Sequence, residues 1–415
     1  MRVITERMEN VRSVALGFWI GTGSAMETDD QAGLSHLLEH MLFRGTDSFR
    51  SEEIDQIFDA MGAEINAGTD RESTSLFTRV LDRHLERALH VMGEMIWHPR
   101  FEDLESEQKV VLEEIAMYED DPQDRVFDVL GEAVFGSHPL GRAVIGCAKV
   151  VGSVELAGLR SFHDERYLPQ SIVVAAAGSV DHDELVSMVQ AAAPSSTTNA
   201  NDTTAIASPK QAPSFERRVR FLQKDTEQYH VCLGGKGIAR HDERRFALRV
   251  LEGVLGGTSS SRLFQEVREK RGLAYSVFSF SNLHAHTGEV GLYVGTRPDN
   301  LGEAITTIAR ELDRFVAQPV SEEELTRSRE NVKGRVVLAL ESTAARMNRL
   351  GSSVLSDLPI LSVDDIIERI DAVEASDLHE LAIELFAGER LSVAGVGTEE
   401  SVFAEALAPL EAVAS

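Results

Sequence analysis

Two histidines and a glutamate fall within five residues of one another in Leu34-Ser35-His36-Leu37-Leu38-Glu39-His40-Met41-Leu42-Phe43. Read as a helix at about 100° per residue, His36, Glu39 and His40 lie on one stripe, at i, i+3 and i+4. Leu34, Leu37, Leu38, Met41 and Leu42 lie on the opposite stripe. One face can sit in a core while the other offers two imidazoles and a carboxylate. Imidazoles one turn apart can bind a single Zn²⁺ through ring nitrogens, and the carboxylate beside them can act on water at the metal. The order His-x-x-Glu-His inverts the common His-Glu-x-x-His zinc helix. With 13 His in 415 residues, composition alone predicts on the order of 0.03 such matches per chain.

A zinc site of this kind takes a third protein ligand. The stretch from Leu104 to Glu119 reads as a helix, with Glu107, Val111, Glu114 and Tyr118 on one face. Two carboxylates on that face suit one metal ligand and one group that orients another ligand. Periodicity alone leaves Glu113 as a competitor for Glu114.

The elements that must position these groups follow from the pattern on either side. Val3–Glu6 and Val14–Ile20 read as two antiparallel strands. Asp29 and Asp30 stand near the start of the motif helix and Gly45 just past its end. A second helix is expected over Ser51–Met61, then a strand from Ala63 to about Arg79 broken near Gly68 and Asp70, then a helix over residues 82–98. Ile172–Gly178 is a continuous apolar run suited to a central strand. Around Pro194, Pro209 and Pro213 the chain is rich in Ser, Thr and Asn and has no apolar period, which marks a linker. The domain reading is a zinc-binding module over 1–195, a linker over 196–213 and a second module over 214–415.

Composition bounds the possibilities. A net charge of −27 and a pI near 4.9 exclude a general nucleic-acid role, since phosphate binding needs basic patches. No run reaches the ~20 apolar residues of a membrane span, and the first residues lack the apolar core of a signal peptide. Cys147 and Cys232 read as free thiols of a reducing compartment. A cytoplasmic protein with no membrane partner is the expectation.

The motif helix followed by Phe43-Arg44-Gly45-Thr46, the stretch Ile65-Asn66-Ala67-Gly68-Thr69, Val110-Val111-Leu112-Glu113-Glu114-Ile115, His138-Pro139-Leu140-Gly141 with Ile145-Gly146, and Ser261–Arg268 leading to Gly272-Leu273-Ala274-Tyr275 together resemble the pitrilysin-type (inverzincin) zinc metallopeptidases. The branch is the one that includes the mitochondrial processing peptidase β-subunit and its bacterial homologues. The resemblance runs over nearly the whole chain. It implies one Zn²⁺ per chain held by His36, His40 and Glu114, with Glu39 as general base and Glu107 as the supporting acid. It selects Glu114 over Glu113. It implies that Asn66, Ala67, Gly68 and Thr69 bind substrate by adding the peptide as an extra strand on a sheet edge. From the second half, Arg268 would bond the substrate and Tyr275 would stabilise the oxyanion. Relatives carry an additional Asn-Gly-containing stretch before the strand that begins here at Val3, which leaves open an upstream start.

The halves read as a diverged repeat. Val231–Gly237 parallels the strand before the motif helix, and Phe246–Leu255 parallels the helix itself without either His. Tyr275–Thr296 parallels the Ile65 region, and Glu322–Leu340 the Glu114 helix. The expected fold is α/β (an α+β sandwich) of two homologous modules, each a mostly antiparallel sheet with helices on one face, the second module binding no metal. The expected activity is zinc-dependent endopeptidase action on peptides or unfolded segments inside a clam-like chamber. The resemblance implies a homodimer, or a heterodimer with a related subunit. The alternatives are a subunit active only with a partner, a non-catalytic binding subunit, and a metal-storing protein.

Overall fold

The computed structural model describes residues 1–194 and 213–412. The first half runs β1 (Arg2–Arg7), β2 (Ser13–Ile20), α1 (Leu34–Met41), α2 (Ser51–Met61), β3 (Glu64–Thr69), β4 (Thr74–Leu81), α3 (Leu85–Trp97), α4 (Leu104–Asp120), α5 (Pro122–Phe135), α6 (Ala148–Val151), α7 (Leu156–Arg166), β5 (Ile172–Gly178) and α8 (His182–Ala192). The second half runs β6 (Val219–Gln223), β7 (Tyr229–Gly237), α9 (Arg245–Leu255), β8 (Ala274–Leu283), β9 (Gly288–Thr296), α10 (Leu301–Ala317), α11 (Glu322–Ala339), α12 (Thr343–Leu355) and, after further helices, β10 (Ser392–Gly397). The expected linker, apart from Pro213, lies outside the described residues.

Each half builds one five-stranded sheet, ordered β1-β5-β2-β4-β3 and β6-β10-β7-β9-β8. In both, the first pair is parallel and the rest are antiparallel. This shared connectivity is the expected repeat. The expected pairing of the first two strands needs correction. β5 lies between them, parallel to β1 and antiparallel to β2. Every residue of β5 is buried, while β1 is half-exposed, so the all-apolar strand takes an interior position and the mixed one the edge.

The side-chain period of two assigns each sheet two apolar faces. In the first sheet Val14, Leu16, Phe18 and Ile20 of β2 join one core with Leu34, Leu37, Leu38 and Met41 of α1. The alternate residues Ala15 and Trp19 face the other way, with Val173, Ala175 and Ala177 of β5 and with Met347 and Leu350 of α12. Trp19 fits there because its neighbours are small: a Cβ on Gly17 would stand 2.5 Å from its ring, and one on Gly351 2.2 Å. In the second sheet α5 fills the corresponding place. Phe127 lies against Phe278, Phe280 and Tyr293 at ring separations of 6.3, 5.3 and 5.7 Å.

The helix layer on one face of each sheet is therefore as expected, and the opposite face carries one helix from the other half of the sequence. Among the described residues the compact units are accordingly discontinuous: 1–116, 142–194 and 338–360 form the first, and 117–141, 213–337 and 361–412 the second. Division near residue 195 alone does not describe them, because each sheet's second apolar face needs a cover its own half does not supply.

Candidate metal centre

The motif helix is fixed at its start by groups outside it. The buried carboxylate of Glu27 accepts the backbone N–H of Gly33 at 2.9 Å and of Ser35 at 2.7 Å, satisfying donors that the first turn leaves open. A negative group there also suits the helix dipole. Arg142 ties the same loop down, donating to Asp29 at 2.6 Å, to the Ser24 carbonyl at 3.3 Å and to the Glu27 carbonyl. Gly33 has φ +103° and Gly146 φ +86°. A Cβ on Gly146 would lie 2.2 Å from the Gly33 Cα, so two glycine backbones touch here, which gives Ile145-Gly146 a packing role. With the leucine stripe in the core, His36, Glu39 and His40 are left half-buried on the opposite face.

α4 brings Glu107 and Glu114 to that face. His36 Nε2 is 3.6 Å and His40 Nε2 3.4 Å from the two oxygens of Glu114, and the imidazole centroids are 4.7 Å apart. Glu113 points to solvent, so the competition that periodicity left open goes to Glu114. His40 Nδ1–H donates to Glu107 Oε1 at 2.9 Å, which directs Nε2 toward the site. Glu107 is 3% exposed, and its other oxygen pairs with Arg44.

The charge states follow from burial. Burial, and then the neighbouring His40, lower the His36 pKa to about 4, so this imidazole is neutral at pH 7 with a lone pair to give. Burial pushes the Glu39 carboxyl up, opposed by a hydrogen bond from Thr69.

Do these donors fit zinc? Tetrahedral zinc with bonds of about 2.0–2.1 Å needs ligand atoms about 3.3–3.4 Å apart, and the imidazole-to-carboxylate separations of 3.4 and 3.6 Å approach that. Among the described residues, His36, His40 and Glu114 form the one group of three able to hold a metal ion, their ligand atoms lying within 4.8 Å of one another. Two imidazoles with one carboxylate suit zinc over magnesium or calcium. Among the described residues the buried Nδ1 of His36 has no hydrogen-bond partner, while its Nε2 faces Glu114.

The remaining expected residues fall in two places. Asn66, Ala67, Gly68 and Thr69 close β3, the edge strand of the first sheet. Their register against β4 runs unbroken from Glu64–Arg79 to Thr69–Thr74, with no bulge at Gly68. Asn66 Oδ1 accepts the Ala67 N–H at 2.9 Å. The Thr69 hydroxyl reaches the motif helix, donating to Glu39 Oε2 at 2.6 Å. Arg268 and Tyr275 belong to the second unit. There the guanidinium lies 4.5 Å from the Tyr275 ring centroid, and Tyr275 is 79% exposed. Arg268 sits in a π-helical turn, Phe264–Glu269, a distortion common at functional sites.

In the second unit α9 and α11 close on each other. Ser328 Oγ donates to the Val250 carbonyl at 2.7 Å, and a Cβ on Gly253 would stand 2.3 Å from it.

Sequence reading missed Glu27, Arg44 and Tyr167. Glu27 stands outside any helical period, and Arg44 entered only as part of Phe43-Arg44-Gly45-Thr46. Tyr167 is buried, and burial and then the charge of Glu39 hold its phenol well above the usual range.

Comparison with known proteins gives the family. Residues 2–148 match the family described as insulinase (peptidase family M16), and residues 153–332 match the peptidase M16 inactive domain. The chain is 40% identical over 402 residues to an uncharacterized zinc protease of Streptomyces coelicolor, covering 96% of this chain and 87% of the relative. It is 38% identical over 388 residues to the uncharacterized zinc protease YmxG of Bacillus subtilis, covering 93% of each. A crystal structure of a protease from Helicobacter pylori shares the fold at TM-score 0.87 and 22% identity, over 95% of this chain and 96% of that one. The chain belongs to peptidase family M16. The inactive-domain match falls on the part that carries Gly253 and Ser328.

Proposed function

We propose that this chain is a zinc-dependent endopeptidase acting on peptides or extended, unfolded segments. The observation that carries the reading is the juxtaposition of three zinc-type donors, their ligand atoms within 4.8 Å of one another, with a second, non-ligating carboxylate, Glu39, on the same face of the motif helix as the two His. The relatives' names as zinc proteases support it. Residues His36, His40 and Glu114 would hold the zinc, one ion per chain, and a bound zinc supplies Lewis acidity toward a carbonyl oxygen and toward water. Glu39 takes the proton of the attacking water and returns it to the leaving amine. Glu107 holds the His40 ring in the tautomer that presents Nε2. The free edge of β3 offers main-chain hydrogen bonds to an extended peptide without regard to its sequence. For Arg268 and Tyr275 the family resemblance supplies the roles, substrate contact and oxyanion stabilisation.

The test is hydrolysis of an unstructured, quenched-fluorescent peptide by the purified chain. Glu39→Gln should retain one zinc per chain and lose about 10²- to 10⁴-fold in turnover, the usual contribution of a general acid–base group. A Glu39→Gln protein as active as wild type would sink the mechanism. Turnover that appears only on adding a related subunit would instead identify a chain active in a heterodimer, and equilibrium sedimentation of the active species gives its stoichiometry.

A further inference from the structure

Thr69 enters the sequence reading as part of a peptide-binding strand. Its side chain is committed elsewhere. Oγ1 donates to Glu39 Oε2 at 2.6 Å and lies 3.4 Å from the Ser35 carbonyl. Among the described residues, the hydrogen bonds to the Glu39 carboxylate come from Thr69. The threonine is itself held. It ends β3 in register with Thr74, which is fully buried and donates to the Thr22 carbonyl at 3.0 Å. A β-branched side chain on a paired strand has little χ1 freedom, so its hydroxyl is a fixed donor.

We infer that Thr69 is a positioning residue for Glu39. Its hydroxyl occupies Oε2 and leaves Oε1 to exchange the proton. Because Thr69 is the last residue of the edge strand, it also ties the orientation of the base to the strand along which a peptide would add. The inference rests on the endopeptidase reading for its kinetic consequence, and on the hydrogen bond alone for its structural one. Valine at this position keeps the shape and deletes the donor. Serine keeps the donor.

The experiment uses the full-length, zinc-loaded chain. Thr69→Val should lose about 10- to 100-fold in kcat, the range of a hydrogen bond to a charged group, with KM and zinc affinity in chelator competition unchanged. Thr69→Ser should restore kcat to near wild type. A rise in KM at unchanged kcat would overturn the inference and return Thr69 to the peptide-binding set, as would a Thr69→Val enzyme of wild-type kcat. A second measurement stands apart from activity. In zinc-free protein, the change in Tm caused by Thr69→Val is compared in wild-type and Glu39→Ala backgrounds. Coupled groups give non-additive shifts, and additive shifts overturn the inference. If the wild-type chain turns over no peptide, the endopeptidase reading fails and this thermal cycle still decides whether Thr69 holds Glu39.

Discussion

Glu107 stands between an imidazole and a guanidinium. On one oxygen it accepts His40 Nδ1–H, and on the other it meets the Arg44 guanidinium. A carboxylate this deeply buried is tolerable because both sides are partnered, and removing one partner leaves an uncompensated charge in a low-dielectric site. Arg44 would therefore act on a metal held by His40 and Glu114 through two intermediaries. It holds Glu107 in place, and Glu107 keeps the His40 ring turned toward Glu114. Losing a partner of this type costs about 10- to 100-fold in metal affinity. Arg44→Met should lower zinc affinity by that factor in competition with a chromophoric chelator, with Arg44→Lys recovering part of it. Unchanged affinity in Arg44→Met would show that Glu107 needs no second partner.

At the scale of elements, local pattern was enough where an element's own residues determine it. The helix over Ser51–Met61 lies where its period placed it, and α1 presents the two stripes its spacing implied. Pattern failed where the partner is distant. Nothing in Val3–Glu6 says that its neighbour is Ile172–Gly178 and not Val14–Ile20, because strand pairing is decided by burial across the whole sheet. The choice of Glu114 over Glu113 came from family resemblance, since both sit on a plausible helical face until the position of α1 is known. The Glu27 contact to the start of α1 had no sequence signature at all. An element can also carry a pH signature. At the start of α11, Glu324 accepts two hydrogen bonds from Arg262 at 2.7 and 2.9 Å and one from the Ser321 N–H at 2.9 Å. The Arg262 hydrogen bond, opposing burial, draws its pKa from 4.5 to about 2. A depressed carboxylate contributes stability that is complete above the unfolded pKa and is lost as pH falls through the folded one. The deficit in Tm of Glu324→Gln relative to wild type should thus be full at about pH 6 and shrink progressively between 4.5 and about 2. A deficit independent of pH across that window would mean that Glu324 acts by packing and not by charge.

The whole molecule is organised by an exchange. Each half of the sequence supplies one helix to cover the second face of the other half's sheet, α12 for the first and α5 for the second. This was not legible in the sequence, because Met347, Leu350 and Gly351 read as one face of an ordinary amphipathic helix whose target is unstated. The exchange makes a substitution in the second half act on the first unit. Both tryptophans of the chain, Trp19 and Trp97, belong to the first unit, so intrinsic fluorescence reports on that unit alone. Gly351 faces the Trp19 ring so closely that an added Cβ would lie 2.2 Å from it. Overpacking of this kind costs about 1–3 kcal/mol, and the same ring already lies 2.5 Å from where a Cβ on Gly17 would stand. Gly351→Val should therefore lower the unfolding midpoint seen by tryptophan fluorescence, although the altered residue is more than a hundred positions beyond the linker. A matching substitution at Gly334, where an added Cβ meets nothing within 4 Å, should leave that midpoint nearly unchanged. The same logic extends to fragments. Residues 1–195 without α12 leave Ala15, Trp19, Val173, Ala175 and Ala177 uncovered, so their tryptophan emission should be red-shifted and should return toward the full-length value when residues 214–415 are co-expressed. An isolated first half with native emission would show that the sheet needs no second cover.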